Sequence, residues 1–259
     1  MIDRTFSVLK LMRLLLSLLL AIALPVAATA TTVTPVVLDL QTTGRGVVSS
    51  ISVTNNAAGP MTMEIVTVAL KPTATGFEPI EGLSADEDLL VSPPSVLIPA
   101  GKTQTFRVQW IGDPDLAQSK HYYVGVNQLP VKLPEGQSAV QVVYNFNVLV
   151  SVSATSQKPQ LTIRSVAPAT ADGKPVASVT VQNSGPAHGY ISQHKLKIVE
   201  TSAAGAEVFS KTISGAEFQS LVGYGLVASG QTRTVNVPLD KALPAGGKIS
   251  AVLMDERAQ

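Results

Sequence analysis

Cysteine is absent from all 259 residues. That excludes disulfide scaffolds, thiol catalysis and Cys-based metal sites, and it leaves the chain to hold itself together with apolar cores. Charge is thin. Asp, Glu, Lys and Arg make up 14% of the chain, and the signs nearly cancel at a formal +1. Such a balance gives no attraction to nucleic acid or to an acidic membrane surface. Histidine occurs only at His121, His188 and His194. No pair has i, i+4 spacing on a helix-like segment and none adjoins a carboxylate cluster, which argues against zinc. A Walker-type phosphate loop, a nucleophile elbow and an EF-hand loop are also missing. Asp86-Glu87-Asp88 and Asp113-Pro114-Asp115 read as solvated turns. The sequence therefore calls for no cofactor, no small-molecule substrate and no catalysis.

Two kinds of segment are present. The first is the start of the chain. Arg4, Lys10 and Arg13 give a basic opening, Leu14 to Leu24 is almost wholly apolar, and Ala28-Thr29-Ala30 offers small residues. This layout predicts a secretory signal over residues 1–30, because the apolar run is shorter than the roughly 20 residues that a membrane span needs. Its removal leaves 16 basic and 17 acidic residues, a formal charge of −1.

The second kind is the short β-branched run closed by turn residues. Val33–Leu40, Gly46–Val53, Met61–Leu70, Leu89–Val96, Thr103–Trp110 and His121–Leu129 are such runs, and after residue 30 no amphipathic helix of ordinary length interrupts them. About seven strands in some 120 residues predict an immunoglobulin-like sandwich over residues 31–153. The polar, proline-closed segment 154–159 reads as a linker. A second series, from Leu161–Val166 to Lys248–Leu253, predicts another β-sandwich over residues 160–259. The fold class is thus all-β, with two sandwiches in series.

The longest strand signal is Val140–Val152, where Val140, Val142, Tyr144, Phe146, Val148, Val150 and Val152 recur at period two. One face is built for burial, and the run is about twice the usual strand length. It is either a long central strand or a strand with work outside its own sandwich.

Several blocks resemble the periplasmic pilus chaperones of the chaperone–usher pathway, and do so over essentially the whole chain after residue 30. Pro93-Pro94-Ser95-Val96-Leu97-Ile98-Pro99-Ala100-Gly101 followed by Phe106-Arg107-Val108 resembles one family block, with Ala100 as an insertion. Tyr122-Tyr123-Val124-Gly125-Val126-Asn127-Gln128-Leu129-Pro130 resembles a second, with Gln128 where the family has an acid. Asn183-Ser184-Gly185-Pro186 resembles a turn early in the second domain.

The resemblance implies two immunoglobulin-like domains arranged as a boomerang in the periplasm. It implies fimbrial subunits as partners, an outer-membrane usher as recipient, and two copies capping one another when no subunit is bound. It assigns Val140, Val142, Tyr144 and Phe146 to a donor strand inserted into an incomplete subunit. The best-studied branch anchors the subunit's terminal carboxylate with a basic pair in its cleft. Here the first strand, Val36–Gln41, has no basic residue, Leu149 stands at the second position, and Ser153 replaces an interdomain Arg. These departures resemble the archaic branch and move the implied anchor to Arg107, with Lys120 as helper. Two other readings are a tandem immunoglobulin-like surface protein or adhesin, and a secreted hydrolase on a sandwich scaffold.

Overall fold

The computed structural model describes residues 31–74, 76–130, 142–240 and 248–255. In chain order the first half forms β1 (Thr32–Thr34), β2 (Val37–Gln41), β3 (Val48–Thr54), β4 (Met61–Pro72), β5 (Phe77–Ser84), β6 (Leu89–Ser92), β7 (Ser95–Ile98), β8 (Thr103–Trp110), β9 (Lys120–Gln128) and β10 (Asn145–Ser153). The second half forms β11 (Leu161–Ala171), β12 (Lys174–Asn183), β13 (Gly189–Tyr190), β14 (His194–Thr201), β15 (Glu207–Ile213), helix α1 (Gly215–Val222), β16 (Leu226–Val227), β17 (Thr232–Pro238) and β18 (Lys248–Asp255).

The first sandwich faces a sheet of order β1-β3-β8-β6 against one of order β2-β10-β9-β4-β5, with β7 also paired to β4. Alternation explains which side chains fill it. Ile51 and Val53 of β3, Phe106, Val108 and Trp110 of β8, and Val148, Val150 and Val152 of β10 all point inward and are buried. β9 is buried on both faces at Tyr122, Val124 and Val126 on one side and His121 and Gly125 on the other, as befits a strand with neighbours on both edges.

Two expected runs, Val33–Leu40 and Leu89–Val96, are each split by a proline. Pro35 separates β1 from β2, and Pro93 separates β6 from β7; both follow cis peptide bonds. In each case the chain leaves one sheet and joins the other. Proline has no N–H for the ladder, so it suits the crossing point.

The second sandwich sets β11-β12-β17 against β15-β14-β18 around a core that includes Val179, Val181, Leu196, Ile198, Ile213 and Phe218. Helix α1 was not expected from apolar periodicity. Its start is nevertheless written in the sequence. Ser214 accepts a hydrogen bond from the Glu217 backbone N–H at 3.2 Å, a capping interaction. Phe218 anchors its inner face in the core.

The sandwiches meet directly. A small apolar cluster joins Tyr190, Leu226 and Ala228 to Val37, Phe77 and Leu149. The Ser119 N–H donates to Pro186 O at 3.0 Å. Gln157, within the segment expected as a linker, donates from its side chain to Leu116 O and Ala117 O. A Cβ at Gly185 would stand 2.4 Å from Lys158 O, so the second sandwich presses a bare backbone against this segment.

Candidate functional site

The first feature is an edge. β10 has β9 along one side for residues 145–152, but β2 on the other side only for residues 149–153. Leu149 N–H reaches Val36 O at 3.0 Å, and there the second ladder stops. Among the described residues nothing pairs with Asn145–Val148 on that side. Orientation follows from the alternation of an antiparallel ladder. Tyr144 turns both its N–H and its C=O toward Gln128 of β9, and Leu149 turns its N–H toward β2. Odd-numbered residues therefore address the outer side. Val143, Asn145 and Asn147 offer unpaired backbone groups there, a ready template for another strand.

The side chains along this stretch show a gradient. Val148 is 1% exposed and Val142 is 68% exposed. Between them Phe146 and Tyr144 are half-buried, their rings nearly parallel with centroids 6.2 Å apart. Successive residues of one face thus walk out of the sandwich. The sequence placed Val142, Tyr144 and Phe146 on one face, and the structure brings the two rings together. Val140, the fourth residue of that set, lies outside the described residues.

Arg107 sits elsewhere. It lies on β8 between inward-facing Phe106 and Val108, opposite Ser50 and Ser92, so it points out from the sheet that does not carry β10. Lys120, at the start of β9, is already engaged. Its Nζ lies 3.0 Å from Asp88 Oδ2 and 5.8 Å from the centre of the Trp110 ring. Tyr122 donates to the same Asp88 oxygen at 2.5 Å. Arg107 and Lys120 thus lie in different sheets and are not gathered with the aromatic pair.

The second feature was not read from the sequence. Asp39 of β2 spans the two sandwiches. Its Oδ1 accepts from Tyr190 Oη at 2.5 Å and lies 3.1 Å from His188 Nε2. A carboxylate only accepts, so the imidazole proton sits on Nε2. Burial raises the Asp39 pKa, but the bonds from His188 and Tyr190 outweigh it and hold the carboxyl below its ordinary range. Burial, reinforced by the Asp39 charge, pushes the Tyr190 phenol well above its ordinary range, so it stays a donor. Behind them, buried His121 meets Ser151 Oγ at 2.9 Å and stacks edgewise on His188 at 5.5 Å. In sequence these residues are scattered from position 39 to position 190, so no local spacing could have grouped them.

No protein-family model matches the chain, and no curated protein matches it by sequence. Its structure is similar to solved ones. The class 5 fimbriae chaperone CfaA superposes with a TM-score of 0.51 at 14% identity, covering 87% of this chain and 99% of that one. A chain from the chaperone–tip adhesin complex of CFA/I fimbriae biogenesis gives 0.50 at 13% identity, covering 87% and 98%. The all-β, two-domain fold is the one that these fimbrial chaperones share.

Proposed function

We propose that the chain is a periplasmic chaperone of pilus assembly, exported by the signal at residues 1–30, which holds fimbrial subunits by donor-strand complementation and passes them to an outer-membrane usher. The observation that carries this reading is the open side of β10. An immunoglobulin-like subunit lacking a strand exposes an apolar groove and two unpaired edges, which are costly to leave bare. A strand laid into the gap supplies backbone hydrogen bonds along its length and a side chain at every second position. Residues 142–148 can give both. Among the described residues nothing pairs with their odd-numbered backbone groups on one side, and Val142, Tyr144 and Phe146 present partly exposed apolar side chains on one face. Each such side chain, once fully buried, contributes roughly 1.5–3 kcal/mol, which suffices to fix a register. The work requires no catalysis and no cofactor. The fold shared with the fimbrial chaperones supports the reading.

Arg107 remains the proposed anchor for a subunit's terminal carboxylate, a contact suited to its planar fork. Lys120 would assist by exchanging its bond to Asp88.

The test is co-expression with a small secreted β-rich fimbrial subunit and recovery of a one-to-one complex from periplasmic extract. Val142→Asp with Tyr144→Asp is expected to abolish the complex while the chain stays folded. Arg107→Ala is expected to weaken it. A subunit equally stable without this chain, or captured equally by the double variant, rejects the reading.

A further inference from the structure

Beside Asp39 the two sandwiches enclose a cleft of about 250 Å³, lined by Val37, Asp39, Tyr190, Ser192, Gln193, Gln219 and Tyr224. We propose that this cleft is a cation site that receives a lysine or arginine side chain of the bound polypeptide. The inference rests on the strand-addition reading above, because that reading brings a polypeptide to the cleft.

The lining has one formal charge, and it is negative. No lysine or arginine contributes to it. Asp39 is half exposed at 49%. Its Oδ1 takes both interdomain bonds, and among the described residues Oδ2 has no hydrogen-bond partner. A carboxylate has about four acceptor sites, so at least two are left to face the cleft. The rest of the wall suits the same charge. Gln193 and Gln219 are exposed, and their side-chain amides are able to turn a carbonyl toward a cation. Tyr190 and Tyr224 meet edge to face at 6.0 Å, and their rings favour a positive group nearby. A carboxylate placed here would meet Asp39 with no lysine or arginine in the lining to offset it.

Position supplies the occupant. β2 begins at Val37, where the second ladder on β10 starts. A strand added along residues 143–148 therefore runs in line with β2, and its end abuts Val36 and Val37. Val37 lines the cleft. A side chain near the end of the added strand is the group that reaches Asp39.

The test is an amide NMR titration of the chain from residue 31 onward, with three probes: N-acetyl-arginine amide, N-acetyl-leucine amide and N-acetyl-glutamate amide. The arginine probe is expected to shift the Gln193 and Gln219 side-chain signals saturably, while the other two leave them in place. Asp39→Asn should weaken the arginine response about tenfold or more. Because Asp39 also joins the domains, a second variant is needed. Gln219→Lys, on the exposed face of α1, should abolish the arginine response and create a glutamate response. Equal shifts with all three probes, or a glutamate response in the unaltered chain, overturn the inference. No subunit is used, so a silent cleft in a chain that still captures a subunit rejects only the cation site. A subunit captured equally by the Val142→Asp, Tyr144→Asp variant, with the arginine response intact, rejects only the chaperone reading.

Discussion

His121 is the residue whose chemistry most directly reports the interior. Burial, reinforced by the nearby His188, pushes its imidazole down from 6.5 to about 3, against a smaller opposing pull from Asp39. Between those values the unfolded chain binds a proton that the folded chain does not. The contribution of His121 is therefore complete above pH 6.5 and is lost as pH falls toward about 3. Asp39, with a lowered pKa, acts with the same sign below its ordinary value of 3.8. Denaturant titrations across this window should show stability falling with acid. His121→Gln should flatten the decline above about pH 5, where an ordinary Asp is almost wholly ionised, and an unchanged slope there would contradict the assignment. Neither group was legible as a site beforehand. A histidine alone in a strand gives no sign of its depth, and His121 faces His188 only because two domains meet.

At the scale of the element, β10 divides by burial. Val150 and Val152 are fully buried, whereas Val142 is largely exposed. Val150→Ala should cost about 2 kcal/mol, because a cavity remains among fixed neighbours. Val142→Asp should alter stability by no more than about 0.5 kcal/mol. Equilibrium unfolding of both variants checks the pair, and equal losses would contradict the division. Period-two alternation made this strand readable, together with β3, β8 and β9, since one buried face is what alternation encodes. It misplaced the ends. The ladder begins at Asn145, and just upstream the Tyr144 backbone still meets Gln128 of β9 without extending the strand. Runs split at Pro35 and Pro93 looked continuous because both halves face one core from opposite sheets. β5 escaped notice because its residues, Phe77 to Ser84, are nearly all exposed and carry no apolar stripe. The helix α1 escaped because eight residues give too few turns for a period to emerge, although Ser214 and Glu217 marked its start.

At the scale of the whole molecule, the domains are joined by more than a linker. Asp39 accepts from both His188 and Tyr190 across the junction. Asp39→Ala strands both donors and should cost about 1–3 kcal/mol. The loss should appear as two separated thermal transitions in place of one, with faster proteolysis within residues 154–159. A single unshifted transition would contradict a coupling role. The two-sandwich plan was legible from turn spacing and the polar segment before Leu161. The junction was not, because it depends on which turn of one sandwich meets which strand of the other.

The central claim is that residues 142–148 offer one backbone side to a foreign strand. Hydrogen exchange on the chain alone, and then on its co-purified complex with a fimbrial subunit, tests it at the amides themselves. The amides of Val143, Asn145 and Asn147 should exchange rapidly alone and become protected in the complex, while those of Phe146 and Val148, already paired with β9, change little. A stable complex that leaves the three odd-numbered amides unprotected would contradict the claim.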